Sequence, residues 1–148
     1  MSFTMINKEF RLVGIKGRGE FANFGKEVPS LSQLLLKRAS EISYAIETEI
    51  ALYEPKKDEN HRVGHYFVGL MVSETLNEVP SGMNYMEVNS SYITTRGNIS
   101  DVGELHSNLL NWGIEQGYQR DLESYIIETY HPTENGEEEV QVYLPILP

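Results

Sequence analysis

An internal repeat constrains this chain more than any other feature. Ile50-Ala51-Leu52-Tyr53-Glu54-Pro55 aligns with Ile127-Glu128-Thr129-Tyr130-His131-Pro132. Each stretch comes after an amphipathic helical pattern and before a further apolar strand pattern. The order of elements reads β-α-β-β twice, over about residues 8–75 and 83–147. Neither half is large enough for a core of its own, so residues 1–148 are expected to form a single domain. The expected class is α+β, with two helices packed on one face of a curved, mostly antiparallel sheet and a ligand groove at the pseudo-two-fold. Glu128 breaks the repeat, because the aligned residue in the first half is Ala51.

Hydrophobic spacing sets the expected boundaries. Phe10 to Lys16 alternates as a strand, and Gly17 and Gly19 are read as turn residues that end it. With Gly14 they do not fit a dinucleotide-binding turn, and Arg18-Gly19-Glu20 puts an acid where a phosphate would sit. Ser30 after Pro29 is read as an N-cap, with Gln33 completing a capping box and the first helix running to about Ser43. Strands are expected over residues 46–53 and 66–72, then 86–95, 124–130 and 140–144. Ser100 is expected to cap the second helix and Gly117 to stop it.

Composition narrows the function. The formal charge is −10, and the nearest thing to a basic cluster, Lys56-Lys57, lies beside acids. Phosphate-backbone binding needs clustered basic residues, so direct nucleic-acid binding is not expected. No apolar run approaches the roughly 20 residues needed to span a bilayer. The start, Met1-Ser2-Phe3-Thr4-Met5, lacks the basic and apolar regions of a signal peptide. Cysteine is absent, which removes disulfides and thiol chemistry. A cytoplasmic protein without membrane contact is expected.

Glu128 is the leading candidate for chemistry. On a strand it shares a face with Ile126 and Tyr130, among apolar and aromatic neighbours. Burial would raise its pKa and make it a proton donor or a partner for a cation. The competing reading is a solvated acid on an open sheet face. Nine tyrosines and one tryptophan accompany it. Tyrosine rings attract cations through their faces and orient polar groups through their hydroxyls. Any single tyrosine is more simply core, and so is Trp112 on the apolar stripe of the second helix. His61, His65, His106 and His131 read as surface residues, because no His-Glu-x-x-His pattern or completing carboxylate is present. No metal, no cofactor and no catalytic residue is assigned.

The string Ile127-Glu128-Thr129-Tyr130, followed by Val140-Gln141-Val142-Tyr143-Leu144-Pro145-Ile146, resembles the closing signature of the GyrI-like, or AraC-type, effector-binding domains. Tyr92 with Gly97 resembles that family's tyrosine strand and the turn after it, although Arg96 stands where a lysine is usual. Trp112, Gly117 and Tyr118 resemble the end of its second helix, and the duplicated plan is also shared. The resemblance runs from about Phe10 to Ile146. It implies a small-molecule receptor whose groove takes bulky, amphipathic, often cationic aromatic compounds. It places a charge-neutralising glutamate at Glu128, and pocket-lining side chains at Tyr143, Trp112 and, as a weaker match, Tyr92. Tyr53 and Tyr130 are added from the repeat alone.

Many members of that family carry a DNA-binding domain ahead of this one, whereas only about nine residues precede the first expected strand here, so a standalone form is expected. Three readings follow from the resemblance. The favoured one is binding without turnover. The second is action on a protein partner, either a separate regulator or DNA gyrase. The third is hydrolysis of reactive cyclopropane-bearing compounds, with Glu128 as general acid or orienting a water; such relatives pair acids with aromatics in the groove, and Glu123 and Glu87 are the candidates for a second acid.

Overall fold

The computed structural model describes residues 2–148. Its strands are β1 (Thr4–Glu20), β2 (Ala45–Tyr53), β3 (Val63–Val72), β4 (Asn84–Asn98), β5 (Ile126–Pro132) and β6 (Glu138–Ile146). Helix α1 (Phe24–Leu36) lies between β1 and β2, and α2 (Val102–Glu115) between β4 and β5. The six strands form one ring in the order β1-β3-β2-β5-β6-β4, with β4 returning to β1. All six pairings are antiparallel. The α+β class with two helices and a curved antiparallel sheet therefore holds, and the sheet curves far enough to close.

Each half contributes three adjacent strands, and the halves meet at β2–β5 and at β1–β4. At the first seam Ala51 pairs with Glu128 across the ladder. These are the two residues that the repeat aligns, so the pseudo-two-fold passes through this one pair. Alternation gives the ring two faces. Phe10, Leu12, Ile50, Leu52, Phe67, Tyr92, Ile127 and Tyr143 come from all six strands and fill the interior. On the outer face Val13, Ala51, Val68 and Leu70 pack with Val28 and Leu35 of α1. There too Ile93, Val140, Val142 and Leu144 pack with Leu105 and Leu109 of α2. No helix among the described residues is long and apolar enough to cross a membrane.

Several boundaries differ from the sequence reading: β1 begins at Thr4 and not at Phe10, and α1 ends at Leu36 and not near Ser43. Gly17 and Gly19 do not end β1, which continues to Glu20. A Cβ on Gly17 would lie 2.3 Å from the Tyr66 ring, and one on Gly19 would lie 2.5 Å from the Glu27 carboxylate. These glycines let neighbouring groups approach the strand and do not turn the chain. Helix α1 begins at Phe24 and contains Pro29. Ser30 does not cap it; its hydroxyl donates back to the Lys26 carbonyl at 3.0 Å. Pro29 cannot donate to the Gly25 carbonyl four residues earlier, so the helix tolerates a missing bond in its second turn.

The second helix follows expectation at its end but not at its start, where Ser100 does not cap it. The Asn98 side chain accepts from the Ser100 amide at 2.9 Å and caps a short turn over Ile99–Asp101 that leads into α2. Gly117, at φ +83°, ends it. Tyr118 N–H then reaches Gly113 O at 2.9 Å and Gly117 N–H reaches Ile114 O at 3.1 Å, the paired bonds of a Schellman cap. Both helix starts share a second repeat. Arg18-Gly19-Glu20-Phe21-Ala22-Asn23-Phe24-Gly25 matches Arg96-Gly97-Asn98-Ile99-Ser100-Asp101-Val102-Gly103, and each octet carries a strand end, a single 3-10 turn and a helix start.

Candidate functional site

A cavity of about 520 Å³ opens between α1 and the outer face of the β2–β5–β6 seam. One wall is α1, through Phe24, Val28, Pro29 and Leu36, and Ile99 and Val102 border it from the start of α2. The floor carries Tyr53, Glu128 and Tyr130, with Glu49 and Glu138 beside them. No lysine or arginine lines it. Phe24 lies 6.2 Å from Tyr53 between ring centroids at an interplanar angle of 29°, and 5.0 Å from Tyr66 edge-on.

Glu128 is the anchor of the floor and is 8% exposed. Its Oε1 accepts from the Tyr130 hydroxyl at 2.6 Å and from the Tyr53 hydroxyl at 3.0 Å. The two hydroxyls are also 3.1 Å apart. Three oxygens thus share two hydroxyl protons, and either hydroxyl can donate to the other. The other carboxylate oxygen, Oε2, lies 2.6 Å from His106 Nε2 on α2. An ionised carboxylate only accepts, so His106 donates through Nε2. Tyr53 and Tyr130 sit on opposite sides of the Ala51–Glu128 pair, each two residues along its own strand. The small side chain of Ala51 leaves room for both phenols to lean inward.

Burial alone would raise the Glu128 pKa, as expected from the sequence. The bonds from His106 and Tyr130, the His106 charge and the Tyr53 bond outweigh burial, and the pKa falls below the ordinary carboxylate value of 4.5. Burial, with the Glu128 charge adding to it, pushes the Tyr53 hydroxyl up, so it stays a donor. A group whose folded pKa is depressed contributes stability above its unfolded pKa and loses it as pH falls through the folded value. The stability gap between wild type and Glu128→Gln, followed by urea denaturation, should therefore be full above the ordinary carboxylate value of 4.5 and narrow as pH falls below it through the depressed folded value. A constant gap would mean that the carboxylate is not ionised in the fold.

Of the six residues singled out from the sequence, Glu128, Tyr53 and Tyr130 meet at this cavity. Tyr92 and Tyr143 face the ring interior, at 1% and 5% exposure, edge-on to Phe10. Trp112 lies further along α2, stacked on Phe3 at 5.6 Å and tilted against Tyr118 at 5.9 Å. The second-acid candidates lie elsewhere. Glu123 pairs with Lys57 at 3.0 Å, and Glu87 accepts from Tyr85 at 2.6 Å. His61 and His65 bracket the Glu54 carboxylate at 2.9 and 3.0 Å. No cluster of His, Asp and Glu among the described residues is arranged to hold a metal ion.

Sequence reasoning missed His106, Phe24, Glu49 and Glu138. His106 had a usable signal. The octet repeat aligns it with Val28, just as the other repeat aligns Glu128 with Ala51. The second half thus places a hydrogen-bonding side chain at both positions where the first half is apolar.

Known structures share this fold. A Vibrio cholerae integron cassette protein superposes with a TM-score of 0.64 at 12% identity, covering 98% of this chain and 95% of its own. The protein SAV2435, in a structure bound to tetraphenylphosphonium, gives 0.65 at 11% identity and covers 99% and 94%. The C-terminal domain of EcmrR gives 0.62 at 13% identity and covers 99% of each chain. No curated protein shows a significant sequence match. The family model described as the GyrI-like small molecule binding domain matches residues 2–147, and the chain belongs to that family.

Proposed function

We propose that this protein is a receptor for amphipathic aromatic cations that carry a delocalised or quaternary charge. The observation that carries the reading is a buried, ionised carboxylate in an aromatic-walled cavity with no basic side chain among its lining residues. Even with His106 at 2.6 Å from Glu128, Glu49 and Glu138 beside it leave the cavity with a net negative potential that a mobile cation can neutralise, and the faces of Phe24 and Tyr53 add cation–π attraction.

The hydrogen bonds on Glu128 refine the ligand class. Tyr53, Tyr130 and His106 occupy both of its oxygens. The carboxylate keeps its charge but has little accepting capacity left. A strongly hydrated ammonium would lose water here without recovering its hydrogen bonds, which is costly. A phosphonium, pyridinium or quaternary ammonium has no donor to satisfy and needs only the field. The related fold of SAV2435 was determined with tetraphenylphosphonium, a cation of this kind. A carboxylate held below its ordinary pKa is also a poor general acid at neutral pH, which favours binding over turnover.

Titration with tetraphenylphosphonium and with neutral triphenylphosphine oxide tests this. The cation is expected to bind at least about tenfold tighter, equivalent to about 1.4 kcal/mol. Equal affinities would remove the charge-based reading.

A further inference from the structure

The cavity has a second acidic pole. Glu49 and Glu138 line it together with Glu128. Neither accepts a hydrogen bond or pairs with a cation among the described residues, in contrast to Glu128 with its three donors. Burial and the neighbouring Glu138 charge both push the Glu49 pKa up, as expected for two acids that share one space without a counter-ion.

Strand register places this pole. Glu49 pairs with Tyr130, one row beyond the Ala51–Glu128 pair on the same face. Glu138 pairs with Pro132, a further row along. At roughly 3.4 Å per residue, the rows of Glu49 and Glu138 lie about 7 and about 14 Å along the strands from Glu128. The ladder between β2 and β3 is irregular between Ala45 and Glu49, with Glu47 in the left-handed region at φ +61°. A bulge of this kind re-aims the side chain that follows it.

We propose that the cavity is built for elongated dications, with a delocalised aromatic cation beside Glu128 and an N–H-bearing cation, such as a primary ammonium or an amidinium, between Glu49 and Glu138. This rests on the aromatic-cation reading of the same cavity. The two poles demand different chemistry. Glu128 already accepts from three donors, close to the limit of a carboxylate, and selects mainly by charge. Glu49 and Glu138 have theirs free, so a cation with several donors gains charge-assisted hydrogen bonds there and relieves the repulsion between them. The span between the poles sets the tether length.

The test uses the full chain and three alkyltriphenylphosphonium probes with a tether long enough to cover that span. The tether ends in a methyl, a hydroxyl or a primary ammonium group. Wild type is expected to bind the ammonium probe about 10- to 100-fold tighter than the hydroxyl probe, the range for a hydrogen bond to a charged group. The double variant Glu49→Gln/Glu138→Gln is expected to lose that preference. It should weaken the methyl and hydroxyl probes by one common factor, because removing two charges lowers the field on every phosphonium alike, and their retained binding shows that its cavity is intact. If the methyl probe binds wild type and the ammonium adds nothing, or if the preference survives in the double variant, the dication proposal falls and the aromatic-cation reading stands. If no probe binds, both fall.

Discussion

Replacing Glu128 with alanine is expected to weaken tetraphenylphosphonium binding by about 30-fold or more, the lower end of what truncating one member of a buried charge pair costs. The carboxylate is the buried anion at the seam of the two halves, with Glu49 and Glu138 one and two rows away. Its loss also removes the acceptor shared by three donors. The Tyr53 and Tyr130 hydroxyls retain each other at 3.1 Å, but one proton and the His106 N–H lose their acceptor. An unmet buried donor costs about 1–3 kcal/mol, so the unliganded variant should be less stable by about that amount. Glu128→Gln separates the two effects. It preserves shape and one acceptor, so it should recover part of the stability and little of the affinity. Isothermal titration and urea denaturation on the same preparations measure both. An affinity within about threefold of wild type in the alanine variant would disprove the role of the charge, because that is under 1 kcal/mol.

Phe10→Ala should produce the largest loss of stability, about 3–5 kcal/mol, because it opens a void where an aromatic side chain is wholly buried. Phe10 is 0% exposed and sits edge-on between Tyr92 at 5.7 Å and Tyr143 at 5.0 Å. Those rings come from three different strands, so the void loosens the ring interior from several sides. A small domain has only about 5–15 kcal/mol to lose, and the variant should unfold at much lower denaturant. The folded fraction, however, should keep its affinity for tetraphenylphosphonium, because the interior and the cavity lie on opposite faces of the sheet. If affinity falls in step with stability, then Tyr92 and Tyr143 communicate with the ligand. Direct Tyr143→Phe and Tyr92→Phe variants would then show which ring does so. A stability loss below about 1 kcal/mol would contradict the packing described for the interior.

The sequence reading succeeded where one local rule decided the outcome. Strand alternation put Ile126, Glu128 and Tyr130 on a common face, and they share it. The repeat picked Tyr53 as the counterpart of Tyr130, and both hydroxyls converge on one oxygen. Gly117 stopped α2 because a positive φ is cheap only for glycine. The start of α1 departs from the spacing, which puts the N-cap at Ser30, just after Pro29. Local rules place proline outside a helix, but packing of Val28 and Leu35 against the sheet outweighs one missing backbone bond. Gly17 and Gly19 were misread for a similar reason. Their purpose is to admit the Tyr66 ring and the Glu27 carboxylate, which are far away in the chain.

Hydrophobic period and internal repetition by themselves determined the β-α-β-β order, its duplication, and the identity of the odd acid at the seam. These are properties of neighbours along the chain, and a period is visible without any long-range contact. The tertiary structure alone decided that the sheet closes into a ring, since that depends on β1 reaching β4. It also decided the charge state of Glu128, because His106, Tyr53 and Tyr130 arrive from three different elements and together outweigh the cost of burial. The same holds for the second acidic pole. Glu49 and Glu138 are separated by most of the chain, and only the register of β2, β5 and β6 brings them to one cavity.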